Sequence, residues 1–188
     1  IKAGKSVNRS WTLSNSGVAG FTSYSPVYNF DAADVDAGAT PANFIARKYI
    51  SSWDTTTAGT KTATSTQLTS ETTFGKIVVG ELDTLTVTTQ PVDTFACTGT
   101  SIVLTSASTS TPTPAVKWQR DANTGVFTDI TGGMDGSIYT NFNTTNLSIS
   151  LVDALNNYKY RAVFSNLNGT ATSDSATLTV RTTPTVSS

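Results

Sequence analysis

Two stretches decide the fold of this chain, Val116-Lys117-Trp118-Gln119 and Asp153-Ala154-Leu155-Asn156-Asn157-Tyr158-Lys159-Tyr160-Arg161-Ala162. Apolar and polar residues alternate in both, as they do in β-strands that bury one face. The first stretch presents one tryptophan, and in the second Tyr160 precedes Ala162 by two residues. We therefore expect Trp118, Tyr160 and Ala162 to lie in the core of a β-sandwich.

The composition is nearly neutral and rich in threonine. The 188 residues include 12 basic and 13 acidic residues and no histidine. Binding to nucleic acid or insertion at an anionic membrane surface is therefore not expected, because both need basic faces. Threonine makes up about a fifth of the chain, far above its usual share. This favours a β-rich surface protein, and a carrier of dense O-glycans is the alternative.

The chain has one cysteine, Cys97, which excludes an intrachain disulfide. No stretch approaches the roughly 20 apolar residues of a membrane helix. The chain begins at Ile1 and not at methionine. We expect either a processed N-terminus or a segment of a longer protein.

Short strands separated by turn residues recur along the chain, which is typical of sandwiches. In the first half the expected strands are Ser10–Leu13, Ser25–Phe30, Phe44–Ile50, Thr60–Thr66 and Lys76–Val79. Five strands make a thin sandwich. The missing ones are either cryptic, in Val18–Tyr24 or Thr69–Thr73, or supplied by a neighbouring copy or an adjacent module that covers the open edge.

The second half contains eight expected strands. They are Leu85–Thr89, Ser101–Ser106, Ala115–Arg120, Val126–Ile130, Ser137–Tyr139, Asn146–Leu151, Tyr158–Ser165 and Ala176–Arg181. Their number and spacing predict an immunoglobulin-type sandwich. No helix is expected beyond one turn at Val152–Leu155.

In such a sandwich each core residue has a defined place. Trp118 is the buried tryptophan of the third strand, and Tyr160 is the tyrosine corner. Ala162 replaces the second core cysteine, and Leu104 fills the opposite position on the second strand. The predicted organisation is all-β: a sandwich in residues 1–82, an immunoglobulin-like domain in 83–181, and a linker or tail in 182–188.

Five segments of the second half together carry a resemblance to a known family. They are Val87-Thr88-Thr89-Gln90-Pro91, Cys97-Thr98-Gly99-Thr100-Ser101, Trp118-Gln119, Tyr158-Lys159-Tyr160-Arg161-Ala162-Val163 and Ala176-Thr177-Leu178-Thr179-Val180. From Leu85 to Arg181 the chain resembles the immunoglobulin-like repeat of large secreted Bacteroidota proteins. In that family the cysteine before the second strand often pairs with one after the sixth. Ser165–Gly169 offers no such partner, so Cys97 is expected to be a small buried residue or a free thiol.

The first half resembles a module of the same secreted proteins between Val7 and Glu81. The matching segments are Val7–Thr12, Asp34–Ala39, Ala42–Lys48 and Phe74–Glu81. This resemblance implies export through a type IX system and a location outside the cell or at its surface. It implies no chemistry.

Asp31, Asp34 and Asp36 form the main carboxylate cluster and precede Gly38. Alternating acids before a glycine turn could offer oxygen ligands to Ca²⁺, although Asp and Gly are also ordinary turn residues. No cofactor is expected apart from this possible calcium ion.

Catalysis is not expected. Without histidine there is no Ser-His or Cys-His pair and no histidine-ligated zinc. The acids lie in turns that lack the interleaved aromatic residues of a sugar-cleaving cleft. Three sites fit the Asp-Ser/Thr-apolar pattern of Bacteroidota O-glycosylation, with Thr55, Thr84 and Ser175 as acceptors.

The sequence leaves three functions open. The first is a structural or adhesive stalk or spacer of a surface or filament protein, and the second is a carbohydrate- or protein-binding accessory module of a secreted enzyme. The third is an assembling repeat that pairs with other copies of itself or with adjacent modules. Exposed aromatic rings would favour the second, and the candidates in the first half are Trp53, Tyr24 and Tyr28, of which at least one is expected to be buried.

Overall fold

The computed structural model describes residues 1–132 and 138–181. The chain divides into two compact units, Ile1–Thr84 and Leu85–Ser188. The described residues form strands and three single turns of 3-10 helix, Ala32–Asp34, Pro41–Asn43 and Asp153–Leu155. The prediction of an all-β chain is confirmed. The described part of the chain contains no helix that could span a membrane.

Two predicted features lie outside the described residues. They are the start of the strand expected at Ser137–Tyr139 and the linker or tail expected at residues 182–188.

The first unit, all of whose residues are described, contains seven strands. They are β1 (Ser6–Thr12), β2 (Val27–Asn29), β3 (Phe44–Tyr49), β4 (Trp53–Thr55), β5 (Ala58–Thr62), β6 (Ser65–Leu68) and β7 (Lys76–Glu81). One sheet has the order β1-β7-β3-β4 and the other β2-β6-β5. All the pairs are antiparallel. Residues of both sheets, among them Phe44, Ile77 and Leu68, form one core.

The expectation of five strands in the first unit is wrong. Thr60–Thr66 is not one strand but the turn region of a hairpin between β5 and β6. The turn lacks Gly, Pro and Asn, and the Thr62 hydroxyl stabilises it by accepting from the Thr64 main-chain N–H and by bonding the Ser65 hydroxyl at 2.7 Å. Strand β4 was missed because all of its residues are exposed, so it shows no hydrophobic alternation.

The segments Val18–Tyr24 and Thr69–Thr73, which were one alternative for the missing strands, pair only through a single bridge. Tyr24 and Glu71 exchange two main-chain hydrogen bonds of 2.9 Å. The first unit therefore has seven strands and not five, and its strand count gives no reason to expect a strand donated by another chain.

The described residues of the second unit contain eleven strands. They are β8 (Thr86–Thr89), β9 (Thr94–Cys97), β10 (Ser101–Thr105), β11 (Ala107–Thr109), β12 (Ala115–Asp121), β13 (Thr128–Asp129), β14 (Tyr139–Thr140), β15 (Asn146–Ser150), β16 (Lys159–Asn166), β17 (Gly169–Thr172) and β18 (Ala176–Arg181). The larger sheet has the order β13-β12-β16-β18-β9, with β17 also on β16. Strands β10-β15-β14 and the pair β11-β8 make up the rest.

Trp118 lies at the centre of the second core. It is fully buried and stands opposite Ala162 on the neighbouring strand. Its indole Nε1 donates to the Thr144 carbonyl at 2.9 Å, and that residue lies in the loop before β15. Leu104, on the other sheet, belongs to the same cluster.

Tyr160 is also fully buried, and its hydroxyl shares a 3.1 Å hydrogen bond with the Tyr139 hydroxyl. A tyrosine corner would instead bond an upstream main-chain group. Because β14 and β16 belong to different sheets, this bond ties the two sheets together. Burial, and then the bond to Tyr139, raise the pKa of Tyr160 far above its ordinary value.

Strand β9 was missed by the sequence reasoning, as were β11 and β17. Phe95 on β9 and the nearby Val92 are exposed, so the segment lacks the apolar alternation of a half-buried strand. Cys97 ends β9 as a partly exposed free cysteine. The expectation that it is a small buried residue is wrong, and the free-thiol alternative fits.

We expect Trp118→Ala to lower the free energy of unfolding of the second unit by about 3–5 kcal/mol, because it leaves a large cavity and an unpaired carbonyl. The matched control is Val126→Ala at an exposed position, which should change stability by about 0.5 kcal/mol or less. Chemical denaturation of both variants measures the difference, and equal losses would contradict this account of the core.

Because burial raises the pKa of Tyr160, we expect the folded protein to lose stability in alkali. In the unfolded state tyrosine ionises near pH 10, whereas the folded state keeps Tyr160 neutral. Its contribution is complete below about pH 10, and above it the free energy of unfolding should fall by about 1.4 kcal/mol per pH unit. Tyr160→Phe should make this fall shallower in denaturation curves measured from pH 8 to 11. Parallel curves for the two proteins would contradict the prediction.

Candidate functional site

The three aspartates considered as possible calcium ligands have other partners in the structure. Arg9 pairs with Asp34 at 2.7 Å and with Asp31 at 3.4 Å. Asp36 accepts hydrogen bonds from the Ser6 main chain and hydroxyl and from the Asn8 side chain, at 2.8, 2.9 and 3.0 Å. The bond from the Ser6 main chain is the largest cause that lowers the pKa of Asp36.

These bonds fasten the turn to β1. Across the described residues, no group of three or more His, Cys, Asp or Glu side chains is arranged to hold a metal ion.

The three candidate glycosylation acceptors are Thr55, Thr84 and Ser175, and all of them are exposed. A transferase acting on the folded chain could therefore reach each hydroxyl.

The aromatic candidates of the first unit separate into buried and exposed rings. Tyr28 is buried in the core, and Tyr24 stacks on Phe74 at 5.1 Å. Trp53 is 46% exposed, and its ring lies 5.3 Å from that of Tyr49, which is 42% exposed. The sequence reasoning missed Tyr49, although the alternation Phe44, Ala46, Lys48 on the inner face of β3 assigns it to the outer face.

Strand register extends this aromatic pair into a row of four side chains. Tyr49 stands opposite Trp53 on β4 and opposite Lys76 on β7, and Lys76 stands opposite Thr12 on β1. Residues that face each other across antiparallel strands share one face of the sheet. Lys76 and Thr12 are exposed. We call these four residues the Trp53 row.

Gly75, directly before β7, allows the chain to pass close to the end of β3. A Cβ atom at this position would lie 2.6 Å from the Tyr49 carbonyl oxygen, a separation that no side chain tolerates. The Trp53 row offers two ring faces, an indole N–H, an ammonium group and the two hydroxyls of Tyr49 and Thr12. This set can stack on a sugar ring and donate hydrogen bonds to its oxygens.

The second unit carries a polar network on the outer face of β12, β13 and β16. Asp129 accepts from Lys117 at 2.7 Å and from Gln119 at 2.6 Å, and Gln119 accepts from Arg161 at 2.8 Å. These bonds, led by that of Lys117, lower the pKa of Asp129. The Arg161 guanidinium also stacks on the ring of Phe127 at 4.0 Å. Each of these four side chains has a hydrogen-bond partner within the network, which is compatible with a solvated face.

The edge formed by β9 and β18 has a different property, because these strands run parallel. Four residue pairs extend from Leu178↔Thr94 to Arg181↔Cys97, and Thr98 adds a 3.0 Å bond to the Arg181 carbonyl. Strand β9 follows the start of the unit and β18 is its last described strand. Pulling β9 towards the N-terminus and β18 towards the C-terminus therefore loads all these bonds in shear.

Several solved structures are similar to the chain. The titin domains Z1Z2 in complex with telethonin are 22% identical, with a TM-score of 0.45, and the match covers 54% of this chain and 50% of that one. The tandem Ig repeats of Dlar are 13% identical, with coverages of 86% and 83% and a TM-score of 0.45. The N-terminal Ig1-2 module of the Drosophila receptor protein tyrosine phosphatase DLAR is 16% identical, with coverages of 74% and 83% and a TM-score of 0.45.

No curated protein sequence matches the chain. A family match exists for the second unit, where the immunoglobulin I-set domain aligns with residues 85–180, half of the chain. The aligned region holds the Trp118–Ala162 core and the β9–β18 edge, and we conclude that this chain belongs to the immunoglobulin I-set domain family.

Proposed function

We propose that the chain is a non-catalytic structural and adhesive module of an extracellular surface or filament protein, where it acts as a stalk, spacer or repeat. The observation that carries this proposal is the parallel β9–β18 ladder, in which bonds loaded in shear must break together. Bonds at a strand end that is peeled open break one after another. A ladder of this kind suits a segment that transmits force between neighbouring modules.

The surface chemistry supports a location outside the cell. Threonine replaces charged residues over much of the chain, which keeps strands hydrated without a charged surface. The candidate acceptors Thr55, Thr84 and Ser175 are exposed, as O-glycosylation of a surface protein requires. The resemblance to secreted Bacteroidota proteins points to the same location.

The chemistry of the side chains supports a non-catalytic role. The chain has no histidine, and the carboxylates of Asp36 and Asp129 are committed to hydrogen bonds that lower their pKa. Partners are then adjacent modules of the same polypeptide or proteins that contact its faces. An assembling repeat remains part of the proposal, although the first unit has its seven strands without a donated one.

Force spectroscopy tests the proposal. We expect Ala96→Pro to lower the unfolding force of the second unit strongly, because proline removes an N–H from a strand ladder. The matched control is Leu147→Ala, a core change that costs about 2–5 kcal/mol and leaves the ladder intact. Leu147→Ala should lower the force less at a comparable loss of thermodynamic stability. Equal reductions of force would contradict a force-bearing ladder.

The exposed rings of the Trp53 row favour a second candidate, a carbohydrate-binding accessory module. Lys76 at the centre of the row would favour an anionic sugar. Affinity electrophoresis with alginate, and with neutral laminarin for comparison, tests this function.

For a chain that alginate retards, Trp53→Ala should weaken binding about two- to tenfold, since one aromatic contact contributes about 0.5–1.5 kcal/mol. Phe95→Ala, at an exposed ring outside the row, should leave binding unchanged. Migration unaffected by either polysaccharide, or an equal effect of both variants, would exclude the row as a sugar site.

A further inference from the structure

The first unit buries one lysine and one glutamate in direct contact. The Lys48 Nζ donates to the Glu71 carboxylate, and both side chains are only 6% exposed. Lys48 lies on β3 of the four-stranded sheet, whereas Glu71 follows β6 of the three-stranded sheet. The contact therefore joins the two layers of the sandwich.

The surroundings hold Glu71 in place. Its main chain exchanges two hydrogen bonds with that of Tyr24. The Tyr24 ring stacks on Phe74, and Phe21 packs edge-on against both rings. Contacts between residues 21–24 and 71–74 thus hold the Glu71 main chain in position.

Tyr28 adds a hydroxyl group near this pair. The hydroxyl is buried and makes no hydrogen bond within the described structure. Burial, and then the charges of Tyr24 and Glu71, raise the pKa of Tyr28 to about 12. A neutral O–H donor without a partner therefore lies within the electrostatic reach of the Glu71 carboxylate.

An ion pair is a costly way to fill such a site. Each buried charge loses several kcal/mol of hydration, and the mutual attraction does not always repay it. An amide between the same two side chains carries no charge. It also keeps the contact between the sheets.

We propose that Lys48 and Glu71 condense to an intramolecular isopeptide bond that links the two sheets of the first unit. A proton passes from the ammonium to the carboxylate along their hydrogen bond, which leaves an amine and a carboxylic acid. The Nζ lone pair attacks Cδ of Glu71. The tetrahedral adduct then loses the acid hydroxyl together with one Nζ proton as water.

The balance is closed, because one N–C bond forms, one C–O bond breaks and one water leaves. No oxidant, reductant or second substrate takes part. Two groups held in contact in this way can react as if one were present at an effective concentration on the order of 10⁵ M or more. Exclusion of solvent also protects the product from hydrolysis.

Such a bond would serve a chain that has no disulfide to join its sheets, since Cys97 is its one cysteine. The inference concerns the first unit. It is independent of the force-bearing ladder and of the Trp53 row, which can each succeed or fail without it.

Intact-mass spectrometry of the folded chain tests the proposal. We expect a mass about 18 Da below that of the sequence, which corresponds to one lost water. Trypsin should then fail to cleave after Lys48, and it should release residues 48–61 covalently joined to residues 62–76. Fragmentation of that product should locate the link at Lys48 and Glu71.

Two matched variants show which lysine is responsible for the loss of mass. Lys48→Arg keeps the positive charge but cannot form the amide, and it should restore the full mass. Lys76→Arg, at an exposed lysine of the same sheet, should keep the loss of water. A protein with the strand-rich circular dichroism of the fold and the full sequence mass would overturn the proposal and leave a plain ion pair. A link at any other lysine would also overturn it.

Discussion

The second unit depends on a size match between Trp118 and Ala162, which face each other on neighbouring strands. Both side chains are fully buried, and a close-packed interior has no room for a larger residue at the position of the alanine. The indole N–H also reaches the Thr144 carbonyl beside the opposite sheet. One side chain thus fills the core and joins the layers, a task that a disulfide performs in many exported sandwiches.

The strands that could be predicted are those with a regular buried face. Phe44–Tyr49 and Ala115–Asp121 differ from the expected strands by one residue at the C-terminal end, because alternation is a local property. Strand β9 could not be found in this way. Its existence depends on a parallel partner more than 80 residues away, and its exposed Phe95 gives no sign of a buried face.

The candidate sites were less predictable, because they depend on register and not on sequence neighbours. Asp31, Asp34 and Asp36 are close in sequence, yet their partners are Arg9, Ser6 and Asn8 on β1. The Trp53 row collects residues from four strands, and only the observed pairing reveals it. Local composition can name the residues of a site but not the strand that brings them together.

A ladder can bear load only if its inner strand is itself held fast, and β18 meets this condition. Ala176, Leu178 and Val180 alternate along it with their side chains buried. Its inner edge is bonded as well, since the Leu178 N–H donates to the Tyr158 carbonyl and the Val180 N–H to the Asn156 side chain, each at 2.9 Å. Force applied to β18 therefore loads its bonds to β9 along one edge. The buried side chains of β18 and the hydrogen bonds along its other edge hold the strand in the core. Because the core holds β18 in place, the β9–β18 bonds bear the force before β18 is displaced from the core.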